Sequence, residues 1–147
     1  SQKMIRAMVD GLAAKLKADP ANVDGWLRLA QSYKVLGEGA PRLDALRQAV
    51  AHGPERADAH LALAEALLEP VPADTTEPLP ADAVIELRAV LKADPNQSNA
   101  LWYLGLDAAN SGRKDEAEAL WQHLLQKLAP SSPNRAEVEA RLAKLKP

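Results

Sequence analysis

The chain has 147 residues, a net charge of −2 and a pI near 5.9, the length of one ordinary domain with no strong electrostatic bias. Ala (29) and Leu (23) make up over a third of it, Phe and Cys are absent and aromatics amount to 3%, which excludes disulfide scaffolds, thiolate zinc sites, thiol nucleophiles and haem attachment through a CxxCH motif within the chain. A near-neutral chain with no basic stripe is a poor nucleic-acid binder, and no run reaches the ~18 apolar residues of a membrane span, the richest stretch, 61–68, being broken by Glu65.

This composition favours helix, because Ala and Leu lead the helix-propensity ranking and β-branched residues are sparse. The first predicted helix covers residues 4–18 and stops at Asp19-Pro20. Met4 already lies inside a helical pattern near the start at Ser1, which implies a native N-terminus further upstream. Two helices follow at 23–36 and 41–52, with Gly37 at the turn, Pro41 opening the second and Pro54 closing the pair. The next pair is predicted at 57–68 and 81–93, separated by residues 69–80, in which Pro70, Pro72, Pro78 and Pro80 demand an extended loop that bulges from the hairpin. A third pair fills 97–128 around Gly112, and a last helix runs over 134–145 after Pro130 and Pro133.

These pairs repeat. Leu16-Lys17-Ala18-Asp19-Pro20 recurs letter for letter as Leu91-Lys92-Ala93-Asp94-Pro95, and Pro54 lies 34 residues beyond Pro20. The same step carries Trp26 onto His60, Leu29 onto Leu63, Ala30 onto Ala64 and Tyr33 onto Leu67, four positions of one helix face. The period and the large, Leu, small, large pattern resemble the tetratricopeptide repeat (TPR), a helix-turn-helix unit that stacks into a solenoid. The predicted fold is therefore all-α, with an N-terminal helix (1–20), three repeats (21–54, 55–95 with the insertion 69–80, and 96–130) and a capping helix (131–147) in one domain.

Trp26, Leu29, Ala30, Tyr33, His60, Leu63, Ala64, Leu104, Gly105 and Trp121 fall where paired helices pack, and are read as structural. The remainder on the inner face of the first helices offers Leu27, Arg28 and Gln31, then Leu61 and Glu65, then Asn99, Trp102, Tyr103 and Leu106. Trp102 stands one residue out of phase with the packing face. It either faces a ligand or packs under the C-terminal helix or the proline-rich loop. An apolar groove with polar edges suits an amphipathic helix, and the acidic stretch 54–82, with seven acidic residues to one basic, would steer a basic one; the alternative is a solvated acidic surface. His52, His60 and His123 are isolated, and no HExxH or Gly-rich phosphate loop occurs, so neither catalysis nor a metal or other cofactor is expected. TPR domains that read acidic chaperone C-termini use a two-carboxylate clamp of Lys, Asn and Arg. The matching positions hold Leu27, Gln31, Ala62, Asn99 and Tyr103, which lack the gripping charge.

Longer segments carry a closer likeness: residues 4–13 leading to Ala18-Asp19-Pro20, Gly25-Trp26-Leu27-Arg28-Leu29-Ala30-Gln31-Ser32-Tyr33, and residues 99–109 followed by Glu118-Ala119-Leu120-Trp121. They resemble the periplasmic TPR domain of bacterial cytochrome c biogenesis proteins of the haem-lyase complex. His60 in place of Trp and the seven-residue insertion are departures. The resemblance implies a non-enzymatic apocytochrome chaperone, without a cofactor of its own, that holds the C-terminal helix of apocytochrome c for other maturation components. It also implies a periplasmic domain of an inner-membrane-anchored protein, in which this fragment inserts into no membrane itself. The competing class is a generic TPR scaffold for envelope or pilus assembly.

Overall fold

The computed structural model describes residues 1–147 as eight α-helices with no strand. They form two compact units, residues 1–66 and 67–147.

The first unit holds α1 (Gln2–Ala18), α2 (Val23–Val35), α3 (Gly39–His52) and most of α4 (Ala57–Leu68). The Ser1 side chain caps α1 by accepting from the Met4 N–H, and Asn22 caps α2 by accepting from the Gly25 N–H at 2.9 Å. Val9 and Leu16 bury one side of α1, which packs on α2. A Cβ at residue 25 would meet Leu16 Cδ2 at 2.6 Å, so Gly25 permits that approach. The α2–α3 hairpin turns at Gly37, whose φ of 73° is left-handed. There the Glu38 N–H donates to the Tyr33 carbonyl and satisfies a helix-end acceptor. Helix α3 begins two residues before the predicted Pro41. A proline in the first turn removes an N–H that has no helical partner, so Pro41 leaves the helix intact.

Trp26, Leu29, Ala30, Ala45, Leu46 and Ala49 are buried in this unit, as are Ala59, His60, Leu63 and Ala64 of α4. Tyr33, read as packing, is only half-buried. At the N-terminus of α4, Arg56 bridges Asp24 and Asp58, both at 2.7 Å.

The second unit contains the proline-rich segment 69–80, α5 (Ala81–Ala93), α6 (Ser98–Asn110), α7 (Lys114–Lys127) and α8 (Asn134–Leu145). Helices α6 and α7 form a hairpin around Gly112 (φ 80°), where the Arg113 N–H reaches the Ala108 carbonyl at 2.8 Å. Trp121 of α7 is 1% exposed and lies so close to α6 that a Cβ on Gly105 would sit 2.1 Å from its Nε1. Only glycine leaves room for the indole. Helix α5 packs on α6, and α8 covers α7 with Val138 and Leu142 buried.

The proline-rich segment does not bulge outward as its composition predicts. It folds back on α6, where the Asp107 carboxylate accepts from the Leu79 N–H at 2.9 Å and the Asn110 amide donates to the Thr75 and Glu77 carbonyls at 3.1 and 2.9 Å. Leu79, within the segment, is buried. A proline-rich strand has few donors to satisfy itself, and two polar side chains of α6 supply the missing partners.

Candidate functional site

In the first unit, Leu27 and Gln31 of α2 meet Glu65 of α4 along a shallow cleft of about 270 Å³. Lys34 and Arg42 bring positive charge to its walls, and Asp58 adds a carboxylate. The Arg56 guanidinium, bonded to Asp58, holds that carboxyl below its ordinary value. Leu61 is half-buried on α4 and Arg28 exposed on α2, and neither is among the residues that wall this cleft.

In the second unit, Trp102 is the common wall of two clefts of about 360 Å³ each. One lies toward α7 and α8, where Asn99 and Trp102 face Leu124, Leu128, Pro133 and Val138. The other lies under the proline-rich segment, where Trp102, Tyr103 and Leu106 face Val71, Pro72 and Leu79. Glu137 of α8 borders both. All four residues that sequence reading assigned to the third repeat's inner face therefore come together, although Leu106 is 3% exposed and forms a floor rather than a rim.

Trp102 combines the two roles that its register left open. Its ring stacks on Trp121 with centroids 5.6 Å apart and planes 26° from parallel, and the Arg141 guanidinium of α8 lies 5.7 Å over it. Its carbonyl accepts from Trp121 Nε1 at 3.2 Å. The side chain is nevertheless only half-buried and keeps some surface in the clefts. Arg141 also pairs with Glu137 at 3.6 Å.

Asp107 is the functional-looking residue that sequence reading passed over. It is 5% exposed, and besides Leu79 it binds Arg113 at 2.9 Å. Bonds to Glu116 and Asp107 raise the Arg113 guanidinium above its ordinary value. The available signal was a lone carboxylate inside an apolar stretch, since a buried charge requires partners. No three His, Asp or Glu residues are grouped to hold a metal ion, and no helix is long and apolar enough to cross a membrane.

The family described as the cytochrome c-type biogenesis protein H TPR domain matches residues 1–135. The chain belongs to this family. The family's cytochrome c-type biogenesis protein CcmH of Escherichia coli K12 is 28% identical over 136 residues, spanning 90% of this chain and 37% of that protein. CycH of Rhizobium meliloti is 58% identical over a shorter stretch of 45 residues, 31% of this chain and 12% of that protein. The chain thus spans little more than a third of the length of these relatives at most. The formate-dependent nitrite reductase complex subunit NrfG of Escherichia coli O157:H7 is 28% identical over 99% of this chain and 72% of its own length. Among solved structures, MamA superposes with a TM-score of 0.70 at 19% identity, covering 98% of this chain and 78% of that one, a likeness of fold.

Proposed function

We propose that this domain is a helix-binding chaperone or adaptor in c-type cytochrome maturation, which holds the C-terminal helix of apocytochrome c for delivery to the haem-ligation components. The observation that carries the proposal is the setting of Trp102, a half-buried aromatic that walls two partly apolar clefts bordered by Glu137, in a chain of the cytochrome c-type biogenesis family. Apolar clefts with a carboxylate at the edge suit an amphipathic helix that carries both apolar anchors and lysines. In this reading Asn99, Trp102, Tyr103 and Leu106 contact the helix on the second unit. Leu27, Arg28, Gln31, Leu61 and Glu65 are proposed as contacts contributed separately by the first.

The role is binding rather than catalysis, performed in the periplasm as part of a longer membrane-anchored protein. Likeness to relatives named for cytochrome c-type biogenesis supports that setting. The test is calorimetry with synthetic C-terminal helices of apocytochromes c beside scrambled peptides of the same composition. Preferential binding of the natural helices is expected; equal binding of both sets would overturn the proposal.

A further inference from the structure

The proline-rich segment is an ordered wall of one of the two clefts at Trp102. Val71 and Pro72 line it together with Trp102 and Tyr103, with Leu79 and Leu106 also in the lining. The segment is held where it is by three hydrogen bonds from two side chains of α6, Asp107 and Asn110. Asp107 is itself fixed by Arg113, which also binds Glu116 at 2.7 Å. A loop secured this way presents a preformed surface, and preformed walls discriminate because a ligand gains full burial without first ordering them.

The lining of this cleft includes two carboxylates, Glu69 and Glu137, and no lysine or arginine. Arg141 is the cation that the fold itself places beside Glu137, over the Trp102 ring. The chemistry that complements such a cleft is an aliphatic side chain with a cationic side chain near it.

From this we infer that the cleft beneath the proline-rich segment is a selectivity subsite, taking one aliphatic anchor of a bound amphipathic helix with an adjacent lysine or arginine toward Glu69 and Glu137. Asn110 and Asp107 are positioning residues that set its width through the segment. The inference rests on the helix-binding reading and adds which part of the surface sorts ligands.

The experiment uses one lysine-bearing amphipathic helical peptide in two versions, with Leu or Ala at the anchor, titrated calorimetrically against three forms of the chain. The wild type should prefer the Leu peptide by about tenfold or more, because several buried methylenes are lost in the Ala version. Asn110→Ala releases two of the three bonds to the segment and should reduce the preference to under about threefold. Val71→Ala leaves all three bonds in place and thins the wall directly, so it should lower the same ratio even where Asn110→Ala folds poorly. Circular dichroism verifies that each variant retains its helices. Folded variants that keep the wild-type ratio would overturn the selectivity subsite and leave helix binding standing. Failure of the wild type to bind either peptide, or any apocytochrome helix, would overturn both.

Discussion

His60 donates its Nε2 proton to the Pro54 carbonyl at 2.7 Å, and Trp26 donates its indole proton to the Pro20 carbonyl at 2.8 Å; each donor stands six residues beyond the proline whose carbonyl it caps. The acceptor is a carbonyl, which fixes the His60 tautomer with Nε2 protonated. The substitution of His for Trp therefore changes the ring and preserves the bond. In the third repeat the equivalent residue is Leu101, 1% exposed, which packs without any such donor. His60→Leu should consequently fold and lose about 1 kcal/mol, the net worth of one hydrogen bond, whereas His60→Ala should lose about 2–3 kcal/mol because a cavity is added. Urea unfolding of both variants checks this: a His60→Leu variant as stable as the wild type would show that the bond to Pro54 contributes nothing, and equal losses in the two variants would show that the cavity adds nothing to it.

Gly105→Ala tests the close approach of α6 and α7. The added Cβ would lie 2.1 Å from Trp121 Nε1 and 2.5 Å from its Cδ1, and the indole has no free direction because it is buried against Trp102. Overpacking at such a site costs about 3 kcal/mol or more. The loss should appear in denaturant unfolding followed by tryptophan fluorescence, with the folded-state emission itself altered. Gly11→Ala, at a position where a Cβ meets nothing within 4 Å, is the matched control and should be neutral or stabilising.

The repeat was legible because its signals are local. Pro20, Pro54 and Pro95 punctuate helices, Gly37 and Gly112 supply left-handed turns, and apolar residues recur on one face, so the bounds of α4, α5 and α8 coincide with those read from the sequence. Docking of the proline-rich segment was not legible, because the bond from Leu79 to Asp107 spans 28 residues and nothing near either residue announces the other. Composition alone argued for an extended loop that bulges from the hairpin. Trp102 was legible as out of phase with the core, but its stacking on Trp121 and the lid formed by Arg141 depend on how α7 and α8 settle, which short-range periodicity does not encode.

Acid should weaken the first unit partly through Asp58. Its carboxyl is held below the ordinary value chiefly by the side-chain bond to Arg56. A depressed folded-state value means that the unfolded chain takes up this proton first as pH falls. The stabilisation is thus present in full above about pH 4, the ordinary aspartate value, and drains away as pH drops through the lower folded value. Asp58→Asn should lower stability slightly at pH 7 and flatten the acid limb of the stability curve below about pH 4. Urea midpoints measured from pH 2 to 7 provide the check, and superimposable curves would remove Asp58 from the account. The effect should shrink in high salt, because the pair is largely exposed.

Recognition and stability should separate at the two stacked tryptophans. Trp121 is almost wholly buried, and Trp121→Ala should cost about 3–5 kcal/mol. Trp102 is only half-buried, so Trp102→Ala forfeits the stacking contribution of about 0.5–1.5 kcal/mol together with the area it does bury. The domain should remain folded, at a total loss of roughly 2 kcal/mol. Peptide binding by that folded variant should fall by tenfold or more, because Trp102 walls both clefts and its removal merges them into one wide, shallow depression. Calorimetric titration after verifying helicity distinguishes the outcomes. If Trp102→Ala unfolds as readily as Trp121→Ala, or binds peptide as the wild type does, then Trp102 serves the core and the ligand surface must be sought elsewhere.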